Sequence, residues 1–572
     1  MKKKAQRPDF LTKLGDSYFF KRKNIITLTG DINGLFFDTK SKSHIALEQI
    51  INTELKEKFN ILRLDIALGI SFYDKKTENE TIRICESTDG YYTPNKRITA
   101  LKKMISDSRH HPLSALVLIS GMVEAFARVR KLEPDIKPLC IIIQFSGSLF
   151  PAGNYDRLSD IDKQCLISFL GLVNSPNFRN SPELIILINS VKSEINRKII
   201  ALPHSTHIEI NLPDKDAREV FVNNFINTDN KVSFEENKEA FVIDTAGLSI
   251  NHIKDILEVS SRKKIIIKKA TIVNEVNSIL QAQLGDIIRI KHPSHSPKDI
   301  VGYKETGKII TNVFERCNDV ETAVAAILVS GPNGSGKTFQ LEAFAAKSGR
   351  VVVELAGIRG SYFGETDKFF ELLRWHISTY GKILILVDEA HTAFGSVHSS
   401  KTHQTEQRLA GNIIKMMGNP QYLGKVLWGL MTSRPDELDP DIKSRAPVQI
   451  PIFDLEGEER KLFIKEMFKR KKIIIDNEAL EQILIKTDYY SARDYRNFVA
   501  EVLAIRKKEK NISPLQVLNE WQASKSIKQE RKFQELIAAQ HCSYPTLLPD
   551  KYKKISDNDL SKLSEELKRK LY

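Results

Sequence analysis

The sequence has 572 residues, 41% of them hydrophobic, and its 86 basic against 72 acidic side chains give a net charge of +14. This length exceeds one ordinary domain and predicts two large α/β units. Five cysteines without CxxC spacing exclude a disulfide framework and a zinc site, and the N-terminal segment lacks the apolar core of a signal sequence. We therefore expect a cytoplasmic protein without a membrane span, whose dispersed lysines cover a solvated surface.

The first third of the chain contains apolar strands that end without catalytic side chains. A strand that starts at Ile25 runs into "TGDING", a turn with no lysine near Gly34. The strand in "LCIIIQFSGS" ends in Gln144 and Phe145, where a nucleotide-hydrolysing α/β domain carries two carboxylates. This part of the chain therefore lacks the groups that neutralise a triphosphate and its magnesium.

The strongest chemical motif is "AILVSGPNGSGKTF", an apolar strand followed by a glycine-rich loop and a helix. Backbone N–H groups of such a loop face the phosphates at the helix N-terminus. The lysine then reaches the β- and γ-phosphates, and the hydroxyl that follows ligates Mg²⁺. The motif predicts that ATP binds to Gly331, Pro332, Asn333, Gly334, Ser335, Gly336, Lys337, Thr338 and Phe339.

A second chemical motif is the strand "ILILV", which is followed directly by Asp388 and Glu389. An aspartate at this point holds the Mg²⁺ shell, and a glutamate one position further orients the attacking water. Thr338 and Asp388 are therefore the predicted metal ligands, and Lys337, Asp388 and Glu389 are predicted catalytic residues. The carboxylate pair predicts an ATPase that forms ADP and phosphate, not a protein that only binds ATP.

These two motifs resemble those of the AAA family of ring-forming ATPases, and the resemblance implies further roles. "TSRPDELDPDIKSR" looks like the family's sensor and arginine-finger segment, which gives Ser433 the sensor-1 position and Arg445 the finger position. A finger that reaches a neighbour's site implies a homo-oligomeric ring, by resemblance a hexamer. "YYSARDY" is similar to the helical lid with Arg493 at the sensor-2 position, and Gly302 matches the adenine-contacting turn. A surface cation at Arg445 and a structural helix-start arginine at Arg493 are the alternatives.

The segment "SYFGETD" resembles the pore loop of AAA unfoldases, in which an aromatic–hydrophobic–glycine triplet lines a central channel. The resemblance implies that Tyr362, Phe363 and Gly364 contact a protein substrate, with Tyr362 gripping an extended peptide through apolar contact. The alternative is that Tyr362 and Phe363 are core residues packed beneath a loop. The first interpretation predicts a protein that unfolds or threads its substrate.

The two halves of the chain repeat one spacing. Gln144 and Asn189 are 45 residues apart, as are Asp388 and Ser433, and similar segments follow both pairs. Such a repeat indicates an internal duplication. We therefore predict an α/β fold of two tandem AAA modules, each a parallel-sheet nucleotide-binding core followed by a small helical lid. The first module is the degenerate copy and the second is the active one.

Domain boundaries follow from the same motifs and from composition. Two prolines among small polar residues in "RIKHPSHSPKD" predict a linker, and leucines at helical spacing near the C-terminus predict a final amphipathic helix. The predicted divisions are a degenerate large subdomain at 1–220, a first lid at 221–288, a linker at 289–299, an active large subdomain at 300–455, a second lid at 456–512 and a basic helical tail at 513–572.

The sequence as a whole predicts a ring-forming ATPase that remodels, unfolds or threads proteins, with ATP and Mg²⁺ as cofactors. Its predicted partners are further copies of itself, a protein substrate and an adaptor. The net charge of +14 leaves a nucleic-acid-associated motor as an alternative, although no nucleic-acid-binding motif supports it. A scaffold that binds ATP to hold a ring is a second alternative, and Glu389 argues against it.

Overall fold

The computed structural model describes residues 7–86, 94–228, 231–284, 288–291, 293, 295–348, 350–355, 366–379, 382–394, 404–509, 512–523 and 527–571. The chain divides into two compact units. Unit 1 comprises Met1–Val276 and Asp367–Thr379, and unit 2 comprises Asn277–Thr366 and Tyr380–Tyr572.

The strands of unit 1 are β1 (Ile25–Gly30), β2 (Leu35–Asp38), β3 (Ser43–Ala46), β4 (Asn60–Asp65), β5 (Gly69–Phe72), β6 (Leu139–Ile143), β7 (Leu184–Ile188), β8 (Ser205–Ile210), β9 (Ser233–Phe234) and β10 (Ile266–Ile267). Six of them form a sheet in the order β5-β4-β6-β7-β1-β8. All neighbours in it are parallel except β5, which pairs antiparallel with β4. The central strands β6 and β7 are buried along their whole length because helices cover both faces of the sheet.

The helices of unit 1 are α1 (Asp9–Phe19), α2 (Leu47–Leu55), α3 (Lys75–Glu86), α4 (Pro94–Asp107), α5 (Pro112–Val129), α6 (Ser146–Leu149), α7 (Asp160–Asn174), α8 (Pro176–Arg179), α9 (Arg197–Ile200), α10 (Lys215–Asn227), α11 (Lys238–Asp244), α12 (Ile250–Lys263) and α13 (Lys269–Leu284), which continues into unit 2. Helices α5 and α7 pack on one face of the sheet around Phe126 and Phe169. Helices α1 and α2 pack on the other face.

Helix α5 has the length and hydropathy of a membrane span, and it is alone in this among the helices that the structure describes. Its residues Leu116, Met122 and Phe126 are buried in the core of unit 1. Helices α3, α4 and α5 lie between β5 and β6, which explains why Gly30 and Gln144 are so far apart in the sequence.

The strands of unit 2 are β11 (Ile288–Lys291), β12 (Ala326–Ser330), β13 (Val351–Leu355), β14 (Ile383–Val387), β15 (Val426–Thr432) and β16 (Val448–Pro451). Their order is β11-β13-β14-β15-β12-β16, and all neighbours are parallel except β11, which pairs antiparallel with β13. Strand β11 lies at the start of the segment that composition marks as a linker. Its Lys291 ammonium is 2.8 Å from a carboxylate oxygen of Glu354 and 3.1 Å from one of Glu342.

The remaining helices are α14 (Lys304–Arg316), α15 (Lys337–Lys347), α16 (Thr366–Thr379), α17 (Ala390–Ala393), α18 (Gln404–Met417), α19 (Pro440–Arg445), α20 (Gly457–Lys469), α21 (Asn477–Lys486), α22 (Ala492–Arg506), α23 (Pro514–Glu520), α24 (Lys528–Gln540), α25 (Asp550–Lys553) and α26 (Asp557–Leu571). Residues 367–379 of α16 belong to unit 1 and the other helices to unit 2. Helices α20 to α23 share a separate core around Phe468 and Phe498. Helix α22 starts with a capping box formed by Ser491 and Asp494.

The predicted α/β fold with parallel-sheet cores is confirmed. The apolar runs 139–143 and 383–387 are the strands β6 and β14, and each lies third in its sheet counted from the antiparallel edge strand. The five parallel strands follow one order in both sheets, β4-β6-β7-β1-β8 in unit 1 and β13-β14-β15-β12-β16 in unit 2. Continuous apolar runs carry this information because a strand in a covered parallel sheet is buried on both faces.

Candidate nucleotide site

The glycine-rich loop of unit 2 connects β12 to α15 at the carboxyl edge of the sheet. Gly331, Gly334 and Gly336 all have positive φ angles, of 150°, 88° and 95°. Glycine adopts these conformations at little cost in free energy, whereas they are strained for other residues. A Cβ at Gly331 would come within 2.1 Å of the Ile452 carbonyl oxygen, so this position also requires close approach of two backbones. The loop therefore has the left-handed backbone and helix N-terminus of a phosphate site.

The Lys337 ammonium lies inside this loop. Its Nζ donates to the carbonyl oxygens of Gly331 at 2.9 Å and Pro332 at 3.1 Å. Burial lowers the pKa of Lys337 to about 8, and the negative charges of Glu389 and Asp388 oppose that shift. Both carboxylates are therefore close enough to Lys337 to act on its charge, and the three predicted catalytic groups meet at one edge of the sheet.

Two features of this loop fit a bound phosphate. The Ser335 hydroxyl is buried and has no hydrogen-bond partner among the residues that the structure describes. Among the residues that the structure describes, Lys337 Nζ donates to two neutral carbonyl oxygens, which a triphosphate would replace with anionic ones. Thr338 lies in the first turn of α15 and Asp388 follows β14, so these two would hold Mg²⁺ together with phosphate oxygens and water.

Glu389 has a strained backbone. Its φ is +47°, in the left-handed region that glutamate rarely adopts, and it is the N-cap of the four-residue helix α17. Its N–H donates to the Asp388 carboxylate at 2.9 Å, and half of its side chain is exposed. The Glu389 side chain is therefore accessible to water at the end of β14.

Sequence reasoning missed a histidine beside this pair. Nδ1 of His391 lies 2.8 Å from the Thr432 hydroxyl oxygen and 3.5 Å from a carboxylate oxygen of Glu389. Burial lowers the pKa of His391. The ring connects the predicted catalytic residue Glu389 to the end of β15. His391 stands two residues after Glu389 in the sequence, a position that no fixed motif marks.

The sensor candidate Ser433 directly follows β15 and is buried. Its neighbour Arg434 donates from Nη2 to the carboxylates of Asp436 at 3.0 Å and Glu437 at 2.6 Å. Because β14 and β15 are adjacent parallel strands, Ser433 and Asp388 follow strands that end at the same edge. The structure thus brings the sensor candidate to the edge that carries the carboxylates.

The lid candidate Arg493 contacts the phosphate loop through its backbone. Its N–H donates to the Gly334 carbonyl oxygen at 3.3 Å, and its charge acts on the pKa of Lys337. Gly302 has a φ of +79°, and a Cβ there would come within 2.9 Å of Leu455. The next residue, Tyr303, donates from its hydroxyl to the Phe453 carbonyl oxygen at 2.7 Å. The turn predicted to contact adenine therefore lies against the connection from β16 to the lid.

Arg445 and Phe339 make their contacts with other residues of unit 2. Arg445 ends α19, and a Cβ at Gly418 would come within 1.9 Å of its Nη1. Its Nε is buried and has no hydrogen-bond partner within the described ranges. The Phe339 ring is 41% exposed and stacks on His295 at 3.9 Å between ring centroids. The pore-loop candidates Tyr362, Phe363 and Gly364 fall outside the described residues.

The corresponding edge of unit 1 carries different side chains. Gln144 donates from Nε2 to Glu48 at 3.1 Å, and Phe145 has a φ of +51° and is 57% exposed. Gly30 has a φ of +96°, and a Cβ there would come within 2.2 Å of the Ile210 carbonyl oxygen. The same backbone geometry as in unit 2 is therefore present without a lysine or a carboxylate pair.

Helix α16 occupies part of that edge in unit 1. The Glu371 carboxylate accepts from the N–H groups of Lys192 at 2.8 Å and Ser193 at 2.9 Å. The Trp375 Nε1 donates to the Ile210 carbonyl oxygen at 3.1 Å. Backbone N–H groups that could hold an anion from solution thus already bind a carboxylate of the chain itself.

Two regions of the chain match models of known protein families. Residues 327–453 match the family described as "ATPase family associated with various cellular activities (AAA)". Residues 2–211 match the family described as "AAA+ chaperone, N-terminal Rossmann-like domain". The first match spans the phosphate loop, the carboxylate pair and the sensor strand, and the second spans the six-stranded sheet of unit 1.

Similar curated proteins cover parts of the chain at low identity. The chain is 27% identical over 177 residues to the ATPase family gene 2 protein of Saccharomyces cerevisiae, which is 29% of this chain and 22% of that protein. It is 25% identical over 199 residues to spastin of Drosophila simulans, 34% of this chain and 25% of spastin. It is 22% identical over 252 residues to the katanin p60 ATPase-containing subunit A1 of Strongylocentrotus purpuratus, 41% of this chain and 48% of that subunit. The chain thus spans less than half the length of each of these relatives.

Proposed function

Since the chain carries an AAA domain and an AAA+ chaperone N-terminal domain, we propose that unit 2 binds MgATP and hydrolyses it to ADP and phosphate. The observation that carries the proposal is the position of Lys337, inside a left-handed glycine loop and close enough to Asp388 and Glu389 for their charges to act on its pKa. A loop that served only as a turn would not place a buried lysine beside two carboxylates. The names of the AAA family and of two of the three relatives, which contain the word ATPase, support the same activity.

Each of the site residues has its own role in the proposed reaction. Loop N–H groups and Lys337 bind the phosphates, and Thr338 and Asp388 hold Mg²⁺, which neutralises charge on the β- and γ-phosphates when bound. Glu389 orients the attacking water and accepts its proton. In this proposal Ser433 contacts the γ-phosphate from the sensor strand, and Arg493 contacts it from the lid.

We further propose that the protein acts as a homo-oligomeric ring, by resemblance a hexamer, that remodels a protein substrate in the cytoplasm. In this arrangement Arg445 completes the site of the next subunit, and Tyr362, Phe363 and Gly364 contact the substrate. The place of Arg445 in "TSRPDELDPDIKSR" supports the finger by resemblance. The description "AAA+ chaperone" of the N-terminal match supports a protein substrate.

The first unit, in this proposal, is a degenerate AAA module that assembles the ring and does not bind nucleotide. Its shared strand order supports a common architecture, and the absence of a lysine in "TGDING" supports the loss of chemistry. The divisions at 220, 288, 299, 455 and 512 are part of the same proposal, with 513–572 as a basic helical tail.

The ATPase proposal is tested with two variants of the full chain. Glu389→Gln should bind MgATP and fail to turn it over, because the phosphate contacts survive while the water loses its orienting carboxylate. Lys337→Ala should fail to bind. Isothermal titration calorimetry measures binding, and phosphate release measures turnover. Near-normal turnover by Glu389→Gln would contradict the assignment of the carboxylate pair.

The substrate proposal is tested at Tyr362. Tyr362→Ala should keep basal ATP turnover and lose its stimulation by an unfolded protein such as casein, because the residue has no role in phosphate binding. Loss of basal turnover together with a lower melting temperature would show that Tyr362 is a core residue. Stimulation by single-stranded nucleic acid and not by casein would favour the motor alternative.

A further inference from the structure

Helix α24, in the C-terminal tail, contacts the phosphate loop directly. The backbone N–H of Asn333 donates to Oε1 of Gln534 at 2.9 Å. The carbonyl oxygen of the same residue accepts from Nε of Arg531 at 3.1 Å. Both polar backbone atoms of one loop residue are therefore bound by two side chains of a single helix.

Arg531 also binds the lid and the strand that leads to it. Its Nη1 donates to the Tyr489 carbonyl oxygen at 2.9 Å, and its Nη2 donates to the Asp454 carboxylate. Tyr489 precedes lid helix α22, and Asp454 lies between β16 and lid helix α20. One guanidinium thus joins the phosphate loop, the connection from sheet to lid, and the lid itself.

The chemistry of these contacts requires arginine and glutamine. Arg531 is only 8% exposed and Gln534 only 1%, so each buried polar atom needs a partner. A guanidinium has five donors in a fixed plane and so binds several acceptors at once, whereas the single ammonium of lysine cannot hold the same fork. The spacing of three residues puts both side chains on one face of the helix.

Helix α24 is itself fixed in place. The Phe533 ring lies under the Arg434 guanidinium at 5.0 Å, which ties the helix to the sensor segment. Leu536 and Leu560 share a core in which α26 packs on α24. After the helix, the backbone N–H of Ser543 donates to the Gln449 carbonyl oxygen on edge strand β16 at 3.0 Å. The two side chains therefore reach the loop from a rigid support.

We propose that Arg531 and Gln534 are positioning residues for the phosphate loop, and that docking of α24 sets the affinity of the protein for MgATP. The loop needs its N–H groups already oriented, since ordering them on binding would cost conformational entropy. Asn333 N–H and C=O both bond to α24, which fixes the peptide units on either side of this residue. The proposal rests on the proposed function, because it concerns the same ATP site.

The test measures MgATP affinity in the Glu389→Gln full chain, where turnover does not interfere. Gln534→Met removes the acceptor at similar length and should weaken binding about fivefold, the effect of one buried hydrogen bond. Arg531→Lys keeps the charge but loses the fork, and should weaken binding about tenfold or more. Exposed Lys532→Ala and Gln529→Ala on the same helix are the matched controls and should bind like the parent protein.

The outcomes separate this proposal from the one on which it rests. If the Glu389→Gln protein does not bind MgATP at all, the proposed function fails. If it binds, and Gln534→Met and Arg531→Lys bind as tightly as the controls, the positioning role is wrong, even if their melting temperatures fall. Hydrogen exchange of the unsubstituted protein without nucleotide gives a measurement that needs no variant. The Asn333 amide should exchange slowly, and exchange as fast as in an open loop would overturn the proposal.

Discussion

Phe145 in unit 1 and Glu389 in unit 2 have the same backbone and different chemistry. Each follows a fully buried parallel strand, each has a left-handed φ, of 51° and 47°, and each is the N-cap of a four-residue helix. In unit 2 the strained turn presents a carboxylate, and in unit 1 it presents an exposed aromatic ring. The comparison teaches that this kink is a property of the sheet edge and does not by itself indicate catalysis.

The loops that follow β1 and β12 extend the same comparison. A Cβ at Gly30 would come within 2.2 Å of the Ile210 carbonyl oxygen at the end of β8, and a Cβ at Gly331 within 2.1 Å of the Ile452 carbonyl oxygen just after β16. After this shared glycine unit 2 continues into the phosphate loop, whereas unit 1 has Asp31, a buried carboxyl group whose pKa burial raises to about 7. A deprotonated Asp31 carboxylate would repel a phosphate group. The Glu371 carboxylate, which accepts from the N–H groups of Lys192 and Ser193, would repel it as well.

The largest expected difference between the units is in the number of nucleotides bound. The Glu389→Gln protein should bind one MgATP per chain in calorimetry, because only unit 2 has a lysine for the phosphates. Adding Lys337→Ala should reduce the number to zero. A second site that survives Lys337→Ala would show that unit 1 binds nucleotide, and the comparison would then fail.

The next largest effect is expected at Arg445. Arg445→Ala should lower ATP turnover about 10³-fold and leave binding intact, if it acts as arginine fingers supplied in trans do. Because the finger would serve a neighbour, mixing Arg445→Ala with Lys337→Ala subunits should recover part of the activity, measured as phosphate release. Phe145→Ala is the control from unit 1 and should turn over ATP normally. Unchanged turnover in Arg445→Ala would remove the finger and weaken the case for a ring.

Asp31 offers a pH-dependent test within unit 1. Its pKa is about 7 in the folded protein against 3.8 ordinarily, so the folded state binds the proton more tightly than the unfolded state. The free energy of unfolding should therefore be greatest below pH 4, fall between pH 4 and 7, and be lowest above pH 7. The total decrease should be on the order of 4 kcal/mol. Asp31→Asn should stabilise unit 1 at pH 8 and give little gain at pH 4, as measured by denaturant unfolding. The exposed Asp156→Asn is the control, and an equal gain at both pH values would contradict burial of the charge.

The smallest effect is expected in the pH dependence of ATP binding. The pKa of Lys337 is lowered to about 8, so the ammonium loses its proton above that pH unless a triphosphate holds it. MgATP affinity should therefore weaken between pH 7 and 9 by up to about tenfold, with proton uptake on binding at the higher pH. Lys337→Arg, which stays protonated, should lose this dependence. Equal affinity at pH 7 and 9 would show that Lys337 is already fully charged in the free loop.

Strands β1, β6, β12 and β14 could be predicted from the sequence because they are apolar runs. The phosphate loop and the pair Asp388–Glu389 were found because spacing along one strand and one turn is a local property. The contacts of Arg531 and Gln534 with Asn333 could not be found in this way, since they join residues about 200 positions apart and a polar helix face gives no local signal. His391 was missed for another reason, because a histidine near a carboxylate pair has no fixed motif.

Composition also misrepresented one segment. Residues 288–291 lie in or beside the predicted linker, yet they form the antiparallel edge strand β11. The strand is short and carries a charged residue, Lys291, which pairs with two glutamates of the neighbouring elements. The strand has four residues, two of them charged, and prolines and small polar residues follow it, so its sequence looks like a connection.

Helix α16 has a consequence for how the chain folds as it is made. The sheet of unit 1 is complete once β8 has been synthesised, but Glu371 and Trp375, which bind its carboxyl edge, are encoded far downstream. Domains generally fold from the N-terminus during synthesis. Unit 1 must therefore leave the ribosome with the N–H groups of Lys192 and Ser193 still open to solvent, and it reaches its final form only after α16 has emerged. In a fragment that stops at the predicted linker, the N–H groups of Lys192 and Ser193 would never bind the Glu371 carboxylate.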